Sequence, residues 1–120
     1  MRMRAIKFRG LDEEGQWHYG FLSWYTDVLA CINDGTDWEV NPETVGQYTG
    51  LKDADGHETY EGDIIKTHES EIGIIVWEND LGGFRARLAD DSFYTLTAFF
   101  ASMFSVIGNV HDTPRLVEAD

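Results

Sequence analysis

The chain has 120 residues, with 22 acidic against nine basic side chains and a net charge of −13. Its 42% hydrophobic and 13% aromatic content excludes a disordered polypeptide. The acid excess argues against proteins that grip phosphate backbones through Lys and Arg, so no direct nucleic-acid binding is expected.

The single cysteine, Cys31, excludes an intramolecular disulfide and reads as a small buried hydrophobe in a reducing setting. No apolar run approaches the roughly 18 residues of a membrane span, so no membrane partner is expected. Arg2, Arg4, Lys7 and Arg9 are followed by no apolar stretch, which speaks against a secretory leader and for a cytoplasmic protein. Residues 1–10 hold four basic and no acidic side chains. The remainder carries five basic against 22 acidic, a net of −17.

In chain order, Ala5 to Arg9 alternates apolar and basic side chains and reads as a strand with Ile6 and Phe8 inward. Gln16 to Tyr25 (QWHYGFLSWY) is an aromatic strand with bulk on both faces, either covered on both sides or presenting an interface. Val28 to Ile32 is a short apolar strand ended by the turn Asn33-Asp34-Gly35. Thr36 to Thr44 reads as loop, with Asn41-Pro42 as a turn. Val45 to Tyr48 is strand-like. An acid-rich turn and the strand Asp63 to Thr67 follow. Ile72 to Trp77 (IGIIVW) is the most apolar strand and is expected at the centre of its sheet. Phe84 to Leu88 alternates, with Phe84, Ala86 and Leu88 inward and Arg85 and Arg87 outward. Phe93 to Leu96 is a short strand, Thr97 caps a helix to Met103, and Phe104 to Val110 is a strand.

These elements predict a mainly β protein. A small SH3-like antiparallel barrel with one short helix is expected over about residues 45–110, with an N-terminal aromatic-rich β layer. The corresponding division is 1–44 as an N-terminal β region and candidate oligomerisation element, 45–112 as the barrel region and 113–120 as a polar tail, all within what can be a single domain. Short connections require mainly antiparallel pairing.

The stretch QYTGLKDADGHETYEGDII, residues 47–65, carries five carboxylates and invites a metal test. Asp53, Asp55 and Gly56 are out of register for a calcium-binding loop. His57, Glu61 and His68 match no compact ligand spacing, and His18 and His111 lie far off in sequence. Cys31 has no basic neighbour to activate it, and no glycine-rich phosphate loop or nucleophile elbow occurs. No catalytic residue, metal or cofactor is therefore expected. In the turn itself, Asp55-Gly56 reads as a two-residue type I′ pair, and Asp53 and the later acids as turn-edge or exposed residues. The crowded aromatics Trp17, Tyr19, Trp24 and Tyr25 form the candidate protein-interaction surface.

The run YTGLKDADGHETYEGDII closely resembles the signature of the YopX-like phage proteins. Tyr48, Gly50, Leu51, Asp53, Gly56, Tyr60, Gly62 and Asp63 carry the match in the centre. Ile6-Lys7-Phe8-Arg9 resembles the family's opening strand, and Ser105 to Val110, with Gly108 and Asn109, its closing one; residues 16–44 are unmatched. The resemblance implies a phage or prophage protein of a bacterial host cell that self-associates, with no established enzymatic activity or cofactor. Two functional readings follow. One is a homo-oligomeric accessory protein that also binds a phage or host protein. The other is an acidic DNA-mimic-type inhibitor of a nucleic-acid enzyme.

Overall fold

The computed structural model describes residues 5–117. The chain forms eleven strands and one short α-helix among these residues. It divides into two compact units, residues 1–50 and 51–120.

The first unit contains β1 (Phe8–Leu11), β2 (Trp17–Thr26), β3 (Leu29–Asn33), β4 (Asp37–Val40) and most of β5 (Gly46–Lys52), with one turn of 3₁₀ helix at Pro42–Thr44. The hydrogen-bonded order is β4-β3-β2-β1-β5, and every pairing with a resolved register is antiparallel. Its core is small: Ala30, Ile32 and Val40, with Phe8, Leu22 and Val45 packed around them. Asn41 caps the 3₁₀ turn by accepting the Glu43 amide, and the Asn41 amide donates to the Leu11 carbonyl. Thr44 Oγ1 accepts the Leu11 amide, so the end of β1 is bound from both sides.

The second unit begins within β5, where Thr59 of β6 (Glu58–Tyr60) donates to the Leu51 carbonyl. It continues through β7 (Asp63–Thr67), β8 (Ile72–Glu78), β9 (Gly83–Leu88), β10 (Phe93–Thr95), α1 (Ala98–Ala101) and β11 (Phe104–Asn109). The sheet order is β10-β9-β8-β7-β11, which places the apolar strand IGIIVW at the centre as its composition predicts. Ile65, Ile75, Ala86, Phe100, Ala101 and Phe104 form the core. Phe100 meets Phe104 edge-on with centroids 5.2 Å apart. Thr97 caps α1 by accepting the Phe100 amide, which turns Phe100 and Ala101 into the core.

The mainly β fold with one short helix is as expected, but the SH3-like barrel is not confirmed: no sheet is closed. β10 is only three residues long. The outward groups of β11 meet a turn, because the Ala54 amide donates to the Phe104 carbonyl.

Three local expectations differ from the structure. β1 starts at Phe8, which packs against the small core as predicted, but Ile6 is exposed, and Arg9 on the other face is buried with its guanidinium 4.5 Å above the Trp17 ring. A guanidinium sheathed by an aromatic face can replace an apolar side chain there. The predicted loop at 36–44 contains β4, whose sequence DWEV alternates polar and apolar side chains over only four residues between two turn signals, Asn33-Asp34-Gly35 and Asn41-Pro42. At the acid-rich turn, Gly56 has φ +83° but Asp55 is not left-handed, so the turn is not type I′. Gly56 donates to Asp53 and Asp53 to the His57 carbonyl, giving a type I turn closed by a glycine bulge.

Two glycine substitutions separate backbone strain from crowding. A Cβ at Gly56 would meet nothing within 4 Å, so Gly56→Ala carries only the left-handed penalty, about 1 kcal/mol. A Cβ at Gly108 would fall 2.1 Å from Thr113 Oγ1, so Gly108→Ala is expected to lower stability further. Urea denaturation of the two variants should rank them in that order.

Candidate interaction surface

The signature stretch builds a structural joint. Asp53 is buried and accepts the amides of Asp55 and His57 through Oδ1, both at 2.9 Å. Its Oδ2 accepts the Val106 amide at 2.9 Å and faces His57 Nδ1 at 3.6 Å. Asp63 is buried as well and accepts the Tyr60 amide at 2.7 Å. The expectation that the acids of this stretch lie at turn edges or exposed thus fails at these two positions, because a buried carboxylate surrounded by amide donors is well satisfied. Burial pushes the Asp53 carboxyl up, but the Val106, His57 and Asp55 amides, with His57 nearby, outweigh it and hold the group below its usual value.

The other signature residues are structural too. Tyr48 is buried with Lys7 Nζ 5.2 Å from its ring centre, and Leu51 packs against the second unit's core. The Tyr60 hydroxyl donates to Glu58. Gly50 lies within β5 and Gly62 directly precedes β7. Asn109 Oδ1 accepts the His111 and Asp112 amides, closing the turn after β11.

Asp53, Asp55 and His57 place ligand-type atoms within 4.8 Å of one another. Asp53 already spends three of its roughly four acceptor positions on amides. The turn therefore offers a metal only two exposed side chains, Asp55 and His57. Glu61 and His68 do not join this group. Cys31 is half-buried, and burial, reinforced by Asp37 and Glu39, pushes its thiol up, away from the reactive thiolate.

The aromatic strand β2 is where large apolar side chains meet solvent. Alternation along β2 and its register with β1 and β3 put Trp17, Tyr19 and Phe21 on one face and Leu22 and Trp24 on the other, beside Ala30 and Ile32. Tyr25 is the extra residue of a bulge between Trp24 and Thr26. The four predicted residues therefore do not share a face. Trp17 is half-buried beneath Arg9. Tyr19, Trp24 and Tyr25 are 46%, 54% and 58% exposed, and Phe21, not singled out from sequence, is 72% exposed. The outer half of the β2–β3 hairpin thus shows aromatic bulk on both faces.

A second arrangement lay outside the sequence reading. His18 is buried, stacks on Trp38 at 4.3 Å, and joins Asp12 through Nε2–Oδ2 at 2.8 Å. The His18 hydrogen bond and the Gln16 amide hold the Asp12 carboxyl below its usual value despite partial burial. The sequence places His18 on a strand and Trp38 in a loop, and no local pattern pairs two segments twenty residues apart.

These features describe an all-β scaffold whose motif carboxylates bind backbone and whose exposed aromatics lie on a hairpin. The family model for the YopX protein matches residues 7–118, and the chain belongs to that family. It is not a known enzyme family. Among solved structures, protein EF1440 from Enterococcus faecalis is similar over 97% of this chain and 100% of that one, at 23% identity and a TM-score of 0.67. That likeness supports the fold. No curated protein matches the chain. No helix among the described residues is long and apolar enough to cross a membrane.

Asp53→Ala would strand three amide donors and is expected to cost roughly 2–4 kcal/mol. The carboxylate's contribution is fully present above the unfolded value near about 3.9 and is lost as pH falls through the lower folded value. Chemical denaturation between neutral and acidic pH should show a stability loss on acidification that is smaller in Asp53→Asn.

Proposed function

We propose that the protein is a non-catalytic phage or prophage accessory protein that works by protein interaction and self-associates in the host cytoplasm. The observation that carries this reading is the exposure of Tyr19, Phe21, Trp24 and Tyr25 on one hairpin. Large aromatics left in water are costly, and they are enriched where proteins meet. A hairpin with apolar groups on both faces can be covered by a second copy or by a phage or host protein that clasps it. The acidic DNA-mimic reading gains no comparable support. Two of the carboxylates, Asp53 and Asp63, are buried in backbone hydrogen bonds, and others sit in separate turns at Asp12–Glu14, Asp34 and Asp90–Asp91.

Light scattering on the purified chain tests the proposal. Wild-type protein should run as a multimer. Phe21→Ser with Tyr25→Ser should weaken association by at least about tenfold, since each ring contributes roughly 1.5–3 kcal/mol when covered. Both sites are exposed, so the thermal midpoint should hold. A wild-type protein that stays monomeric at high concentration overturns the self-association.

A further inference from the structure

The first unit also carries a cleft of about 690 Å³ beside β4, within the size range of ligand sites. Leu11, Val28 and Val40 supply apolar lining, and among the described residues no Lys or Arg lines it. The carboxylates of Asp12, Glu13, Glu14 and Glu39 stand around it. Trp38 forms part of the wall, and its ring is fixed from two directions. One face lies on His18 at 4.3 Å and 14° between planes, and Nε1 donates to Asp34 Oδ1 at 3.1 Å. His18 is itself held by Asp12, whose other oxygen accepts the Glu14 and Gln16 amides. Trp38 nevertheless remains 39% exposed. An immobilised indole with one face covered, set among carboxylates, is suited to hold a cation.

The neighbouring backbone narrows the occupant further. β4 is the terminal strand of its sheet, so half of its peptide groups face away from β3. An extended segment laid along that edge would pair with it and project alternate side chains toward the cleft. We infer that this cleft docks an extended, Lys- or Arg-bearing peptide segment of a partner protein, with the cationic side chain seated between Trp38 and the carboxylates of Glu13, Glu14 and Glu39. The site uses none of the exposed aromatics Tyr19, Phe21, Trp24 and Tyr25, so it stands or falls apart from the hairpin surface.

The test is fluorescence anisotropy with the full chain and a labelled nonapeptide of alternating Lys and Val. Wild-type protein should bind it, with affinity falling as salt rises. The combined Glu13→Gln, Glu14→Gln, Glu39→Gln variant should bind at least about tenfold more weakly, and Trp38→Phe should weaken binding while keeping a ring against His18. A charge-matched control, Glu69→Gln, Asp80→Asn, Asp91→Asn, should bind like wild type, as should Phe21→Ser with Tyr25→Ser; circular dichroism confirms that each variant is folded. The inference is overturned by absence of peptide binding, by equal losses in the cleft variant and the charge-matched control, or by spermine competing as tightly as the peptide. The last result would reassign the cleft to free polyamines.

Discussion

The second unit is organised around one buried carboxylate. Asp53 takes two amides from its own turn and a third from Val106 on β11. The Ala54 amide adds a bond to the Phe104 carbonyl. The turn thereby occupies the side of β11 that no strand covers, which is a standard hazard of an open sheet. Phe104, packed beside α1, is the largest fully buried side chain. A charged group is used there because an ionised carboxylate gives short, strong hydrogen bonds to several amides at once. A neutral side chain of that size could not accept all three.

The cations show the opposite economy. Lys7 lies over Tyr48, Arg9 over Trp17 and Arg85 over Phe93, while Arg87 pairs with Glu78. Four of the nine basic side chains are thus engaged with rings or a local acid. A ring contact leaves a cation's charge intact, so the net negative charge follows simply from 22 acidic against nine basic side chains. Arg2 and Arg4, which gave the opening segment its basic character, lie outside the described residues.

Where periodicity and composition both spoke, the sequence was legible. Asp63 to Thr67, the central position of Ile72 to Trp77, the Thr97 cap and the antiparallel pairing all appear as read. β4 was missed because the alternation of DWEV runs for only four residues, too short a signal to stand out between two turn motifs. In β1 Phe8 packs inward as read, but alternation shows only that two faces differ, not that the basic face is wet, and Trp17 shelters Arg9 on it. The buried aspartates were hidden by the acid excess itself, since two internal carboxylates cannot be told by composition from some twenty external ones. Their local spacing held a usable signal: an Asp followed three residues later by Gly marks a side chain that can close a turn onto its own amides. Pairing across elements, as between His18 and Trp38, follows from register and lies beyond any local pattern.

The motif that identifies the family is occupied with holding the fold. Asp53 and Asp63 bind backbone amides, Asn109 closes a turn, Gly56 supplies a left-handed residue, and Gly108 leaves room for Thr113. Groups engaged in this way have little acceptor capacity or surface left for a second molecule. The proposed recognition uses side chains that the fold does not consume. In the first unit these are the hairpin aromatics and the open face of Trp38, both on strands to which the signature contributes nothing. A scaffold fixed by one set of residues can accept change in the other without loss of stability, because exposed substitutions of this kind usually shift folding by no more than about 0.5 kcal/mol. The signature therefore defines what the protein is built from, while the proposed contact residues lie on β2 and β4, apart from it.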